Sequence, residues 1–352
     1  MSQQSDIRTL KRFFKTAGDA IDAFLFGTHE VVTDVPYVRD YMNLKRYMIL
    51  VIMAVAPSAL ASIYFFGWRS LVVIIFSYLF GVTTEWIFAT VRKEELTEGA
   101  FVTCLIYPML LPPTVPLWIV AVGIVFGTLF GKEVFGGTGK NLFNPALIGR
   151  IFVAIAFPTI ISGQWYKPIS GAFGGFVAYS VDGITTATSL TDFKSTNTIE
   201  SYWKLFTGDI PGCLGETSKI LIILGGLFLM ITKVSNWRIP VAYIGTVVLL
   251  SSILSQISPD RFAPPLFQLL SGGLLFGAMF MATDPVTSPM TSQGKWVCGF
   301  LLGVLTIVIR GLSGYSEGVM FAIILMNIFN PLIDNVVLLL ITSKNRRKME
   351  IL

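Results

Sequence analysis

Few residues in this chain have side chains able to do chemistry. A hydroxyl-rich stretch, Asp182-Gly183-Ile-Thr185-Thr186-Ala187-Thr188, lies in the longest hydrophilic segment. Two asparagine pairs recur ahead of prolines: Asn141 and Asn144 before Pro145, Asn327 and Asn330 before Pro331. Glu85, Arg150 and Asp334 stand in or at the ends of apolar runs, and Asp284 follows another. An ionisable side chain inside a membrane costs about 2.5–3.5 kcal/mol on insertion scales and is retained for a pathway or a partner. Asp334 follows Pro331, which weakens the preceding turn and frees carbonyls. A carboxylate beside such carbonyls suits a hard cation such as sodium. The alternative for Asp334 and Arg150 is a structural ion pair. For Asp284 the choice is between capping a half-helix and handling an ion. Asparagine amides can serve donor and acceptor edges of a ligand, or satisfy backbone freed at a helix break. His29 is the only histidine, and Cys104, Cys213 and Cys298 are far apart with no metal or disulfide spacing.

The elements that position these groups are apolar. The 352 residues are 53% hydrophobic and 13% charged, with a mean hydropathy of +0.71. Soluble domains carry roughly 25% charged residues. A soluble enzyme, a disordered chain and a nucleic-acid-binding protein are excluded, despite the net charge of +5. The fold expected is an all-α polytopic membrane protein.

Ten apolar segments are expected as spans, at about 47–66, 71–90, 100–111, 116–131, 142–161, 218–232, 239–257, 265–281, 296–309 and 318–340. Segment 1–45 reads as a cytoplasmic tail. Ile7, Leu10, Phe13, Phe14, Ala17, Ile21 and Phe24 there follow helical spacing, which suits an in-plane amphipathic helix on lipid or a helix docked on a partner subunit. Residues 46–161 and 218–340 form two five-span halves, 162–217 the loop between them, and 341–352 a basic tail. Lysine and arginine concentrate on the side of the termini, which places both termini in the cytoplasm and the 162–217 loop outside. The Asn-x-Phe-Asn-Pro repeat, one copy per half, makes the halves an inverted pair. Pro-interrupted stretches 107–116 and 282–291 then read as re-entrant breaks that face each other inside the bundle. Hydropathy alone does not separate such a chain from a channel or secondary transporter.

Asp182-Gly183-x-Thr185-x-Ala187-Thr188 resembles the Asp-Gly-x-Ser/Thr-Gly-Ala-Thr pattern at which a transferase esterifies the last threonine with the phosphate of FMN. Thr186 replaces the usual glycine and is a second candidate hydroxyl. Further stretches agree: Pro36-x-Val-Arg-Asp40, Leu44-Lys-Arg46, Glu98-Gly-x-Phe-Val-Thr103, Leu111-Pro-Pro-Thr-Val-Pro-Leu117, Gly131-Lys-Glu-Val-Phe-Gly-Gly-Thr-Gly-Lys-Asn141, Asn144-Pro-Ala-Leu147, Met281-Ala-Thr-Asp-Pro-Val286 and Pro331-Leu-Ile-Asp334. From about residue 36 to 340 the chain resembles the NqrB/RnfD family, membrane subunits of the sodium-translocating NADH:quinone reductase and of the ferredoxin:NAD oxidoreductase complex. Leu44-Lys-Arg46 and the Lys132 to Gly139 stretch look more like the former; the compact tail keeps the latter open.

The resemblance implies covalent FMN on Thr188, within a motif that includes Asp182, Gly183, Thr185 and Ala187. It implies a non-covalent riboflavin contacted by Asn141 and Asn144, a quinone region with Gly81 and Glu85, and cation uptake at Asp334. It also implies sodium as the transported ion, partner subunits of the A, C, D, E and F types, and a bacterial inner-membrane location. No dinucleotide fingerprint is present: the glycines from Gly131 to Gly139 join two apolar segments, not a strand and a helix. NADH oxidation is therefore expected on another subunit.

Overall fold

The computed structural model describes residues 44–94, 96–163, 165–169, 173–181 and 186–349. The expected amphipathic helix over 7–24, Pro36 to Asp40, and Asp182, Gly183 and Thr185 lie outside the described residues. The described chain is helical, with no strand. That is the architecture lipid enforces, because backbone polar groups in hydrocarbon must be satisfied within the segment.

The first half holds α1 (Leu44–Phe66), α2 (Arg69–Arg92), α3 (Gly99–Met109), α4 (Leu117–Gly131), α5 (Pro145–Ala156) and the short α6 (Pro158–Ser162). The connecting region carries α7 (Ser189–Thr196) and α8 (Tyr202–Thr207). The second half holds α9 (Lys219–Ile231), α10 (Arg238–Ile257), α11 (Pro265–Leu270), α12 (Ser292–Leu312) and α13 (Val319–Met349). Among the described residues six helical stretches are long and apolar enough to cross a membrane: α1, α2, Leu117–Phe135, α10, α12 and Val319–Ser343. The apolar helices α3, α5 and α9 are shorter. Large side chains such as Val91, Leu79 and Leu249 are exposed. On helices this apolar, that exposure suits lipid contact.

Small residues bring the helices together, as is usual between membrane helices. A Cβ on Gly127 of α4 would collide with the Pro145 carbonyl oxygen and stand 2.8 Å from Gly149 N of α5. A Cβ on Gly299 of α12 would stand 2.7 Å from the Ile239 carbonyl oxygen of α10.

Two expectations are corrected by the structure. Segment 265–281 is broken: α11 stops at Leu270, and a helical turn (Leu274–Phe276) runs on into a π-turn (Gly277–Met281). At the break Gly272 takes φ +63°. Arg310 Nη2 donates to the Ser271 carbonyl at 3.2 Å, Lys219 Nζ to the Gly272 carbonyl at 3.0 Å, and Gly273 N to Glu317 Oε2 at 3.0 Å. Charged side chains thus replace the lost helix bonds.

Stretches 107–116 and 282–291 are each held by hydrogen bonds to neighbouring elements. The Leu110 carbonyl accepts from Arg150 Nε and Cys213 Sγ, and the Leu111 carbonyl from Leu214 N. The second stretch is tied to α13, where Thr287 O accepts from Asn330 Nδ2 and Thr291 N donates to Asp334. Each break is sealed by its own neighbours.

Finally, the last helix passes through Pro331 without a break. α13 runs through it to Met349, across the expected boundary at 340. Asn144, by contrast, begins a helix. The two copies of the repeated motif therefore do different structural work.

Candidate functional site

Thr188 is the N-cap of α7, with extended backbone (φ −74°, ψ 156°). Its Oγ1 accepts from Thr191 N at 3.4 Å and lies 3.0 Å from Thr191 Oγ1. A helix N-terminus with free N–H groups and positive dipole is a ready anion site. A phosphate esterified to this hydroxyl would sit among such donors. Leu190 and Phe193 anchor α7: both are buried, and the Phe193 ring lies 5.6 Å from that of Phe267 in α11. Thr186 is placed differently. Its N–H donates to the Trp165 carbonyl at 2.8 Å, and its hydroxyl to the same oxygen at 3.4 Å. Of the two candidate hydroxyls, the Thr188 one stands at the helix N-terminus.

Thr186, Ala187, Thr188 and Ser189 form one wall of a cavity of about 650 Å³. That is within the roughly 300–1,000 Å³ of ligand pockets, so the space admits a flavin. Arg150, Cys213, Glu216, Glu317 and Lys194 also line it. Lys194 Nζ donates to the carbonyls of Ser313 (2.9 Å) and Tyr315 (2.5 Å); burial and the Arg310 guanidinium lower its affinity for a proton. Burial, then the neighbouring Glu317 carboxylate, raise the pKa of Glu216 from its ordinary value. Burial pushes the Cys213 thiol well up.

Arg150 is 5% exposed. It is in no ion pair within 4 Å among the described residues, so among those residues the structural ion-pair alternative does not hold for it. Nor does it hold for Asp334, whose partners are donors at the start of α12. Asp334 Oδ2 accepts from Met290 N at 2.7 Å and Oδ1 from Thr291 N at 3.0 Å.

A second, smaller cavity of about 70 Å³ lies among the other ends of the helices. Asn141, Asn144, Lys132, Thr138, Asp284 and Tyr47 line it. The first-half asparagines and the second-half aspartate, distant in sequence, meet here. Asn144 Oδ1 caps α5 through Ala146 N (3.1 Å) and Leu147 N (3.3 Å). Its Nδ2 has no acceptor among the described residues. Asn141 accepts from Gly139 N (3.2 Å) and donates to the Phe143 carbonyl (3.1 Å). With the Asn327 amide oriented to satisfy its neighbours, its oxygen accepts from Asn144 N at 3.2 Å, which links the two motif copies. Asp284 accepts from Val286 N (3.3 Å) and the Thr287 hydroxyl (3.0 Å), so it closes a local turn instead of capping a helix.

Glu85 is paired with Lys132, both almost fully buried. Thr97 donates to the same Glu85 oxygen at 3.3 Å. Lys132 reads in the sequence as a loop cation; the structure buries it. Gly81 sits where a Cβ would collide with Cys104 Sγ and stand 2.9 Å from Ile124 Cγ1. It permits close packing of α2, and it lines neither cavity.

Sequence reasoning missed the charged group at the break in 265–281: buried Lys219 and Arg310 with half-buried Glu216 and Glu317. The available signal was Gly272-Gly273 within an apolar run, with charges at the ends of the neighbouring segments.

Comparison with known proteins gives consistent matches. The model of the NQR2, RnfD, RnfE family matches residues 31–339. A protein of Ectopseudomonas mendocina (strain ymp), named as the B-type subunit of Na(+)-translocating NADH-quinone reductase, is 39% identical over 91% of this chain and 90% of its own length. A protein of the same name from Azotobacter vinelandii (strain DJ) is 36% identical, with the same coverage. One from Klebsiella pneumoniae subsp. pneumoniae is 34% identical, again over 91% and 90%.

Proposed function

Because the chain belongs to the NQR2, RnfD, RnfE family, we propose that it is the flavin-carrying B-type membrane subunit of a sodium-translocating NADH:quinone reductase. It carries FMN as a phosphoester on Thr188 and a riboflavin against Asn141 and Asn144. It works with subunits of the A, C, D, E and F types, with quinone as electron acceptor and sodium as exported ion. The observation that carries this reading is the Thr188 hydroxyl at the N-terminus of α7, opening on a cavity of about 650 Å³.

The flavins, when bound, supply the electron transfer. The chain's own residues bind and orient them. The α7 N-terminus receives the phosphate, and the cavity walls hold the ring. At the other end, Asn144 Nδ2 supplies a donor for a ring edge. The cavity there, about 70 Å³, accepts such an edge; a whole riboflavin requires the cleft between Tyr47 and Asp284 to widen. Asp334, partly exposed, gathers cations at the start of their path, and Glu85 with Gly81 lies near the quinone. The two halves form inverted repeats in the bacterial inner membrane, with both termini cytoplasmic and the Thr188 loop outside. An RnfD-type subunit would share this architecture and flavin; the named relatives at 34–39% identity favour the NqrB type.

Intact mass of the chain, purified from a host with the flavin transferase, tests the reading. An FMN-sized addition lost in Thr188→Val is expected. An unmodified wild-type chain would overturn it and favour a transporter.

A further inference from the structure

We infer that Arg150 is the positioning residue for the flavin in the Thr188 cavity, holding the electron-rich N1–C2 carbonyl edge of the ring; the inference rests on the flavin reading of Thr188. Two buried arginines in this chain make the case by contrast. Arg310, 2% exposed, is saturated. Its Nη1 donates to the Gln268 carbonyl (2.7 Å) and to Gln268 Oε1 (3.0 Å), and its Nη2 to Ser271 O (3.2 Å) and Glu317 Oε1 (3.0 Å). Arg150, 5% exposed, donates through Nε to the Leu110 carbonyl at 2.7 Å. Its Nη1 has no partner among the described residues, and no carboxylate among them lies within 4 Å. A guanidinium is always charged. A buried, unpaired charge is strongly unfavourable, so one retained beside an open cavity points to an anionic or electron-rich ligand there.

The ligand's phosphate is already provided for. Elsewhere on the same cavity lining Thr188 and Thr191 stand at the α7 N-terminus. Ser189 Oγ, also on the cavity lining, is a second buried polar atom without a partner among the described residues. Arg150 comes from a different helix, α5, lines the same cavity, and is left to meet the ring. Reduction of the ring by two electrons from NADH with uptake of one proton leaves one negative charge over N1 and the C2 oxygen. A guanidinium at that edge favours the reduced form and raises the midpoint potential.

The test uses the assembled complex. Arg150→Gln and Arg150→Lys are compared with wild type by intact mass of this chain and by spectroelectrochemical titration. Arg150→Gln is expected to keep the FMN-sized mass and to shift one flavin to lower potential, with a smaller shift in Arg150→Lys. A Gln variant with FMN retained and an unaltered titration overturns the inference. Should the Gln variant fail to assemble, the wild type still decides. Its midpoint is expected to follow one proton per two electrons across neutral pH; one proton per electron means a neutral reduced ring and overturns it. Absence of FMN from the wild-type mass, or its persistence in Thr188→Val, sinks the flavin reading itself and is read separately.

Discussion

Asp334 of α13 holds the start of α12 through Thr291, whose N–H donates to Asp334 Oδ1 at 3.0 Å while Met290 N donates to Oδ2 at 2.7 Å. A carboxylate at a helix N-terminus is favoured by the free N–H groups and by the dipole. Asp334→Ala is expected to lower stability by about 0.5–2 kcal/mol, the range for lost caps, seen as a lower thermal midpoint. Asp334→Asn keeps an acceptor and loses the charge. We expect it to raise the sodium concentration for half-maximal quinone reduction with covalent flavin intact; an unchanged half-saturation removes Asp334 from the cation path.

Asn144 uses its oxygen as a cap, and its nitrogen has no acceptor among the described residues. Asn144→Asp keeps the cap, because aspartate is an equally good N-cap, and removes the donor. The expected result is a thermal midpoint near wild type with reduced riboflavin after extraction. Full riboflavin recovery would count against the assignment.

Glu85 and Lys132 are a buried pair. Removing one partner strands the other charge and costs about 3–5 kcal/mol. Glu85→Gln is expected to destabilise the complex by that order, and Glu85→Leu with Lys132→Met to recover most of it. The quinone KM should stay raised in the double variant if the carboxylate also serves quinone; a wild-type KM there makes the pair structural.

Glu216 has its pKa raised from the usual 4.5 by burial and by Glu317. The folded chain therefore binds this proton more tightly than the unfolded chain does. Its contribution is complete below about pH 4.5 and declines as pH rises towards the folded value. The thermal midpoint of Glu216→Gln should gain on wild type as pH rises through that window, since glutamine needs no proton. Parallel profiles would show that Glu216 does not titrate there.

Thr186 donates its hydroxyl to the Trp165 carbonyl at 3.4 Å. Thr186→Val is expected to leave the FMN-sized mass in place. Its loss there, with Thr188 intact, would move the attachment point.

Much of this was legible in the residues. Low charge and long apolar runs required a helical membrane protein, because hydrocarbon cannot satisfy open backbone. The Thr188 motif and the ordered stretches from Leu44 to Asp334 carried the family. These are local patterns, and hydropathy and short motifs are local properties. Which groups end up unpaired is not local. Arg150 and Arg310 look alike in the sequence, each within or beside an apolar run; only packing supplied Gln268 and Glu317 to one and an open cavity to the other. Lys132 reads as a loop cation until folding sets it against Glu85, 47 positions earlier. The break at Gly272 is tolerable only because Lys219 and Arg310 arrive from other helices. Partnering of buried charge depends on which helices become neighbours, and the tertiary structure alone decides that.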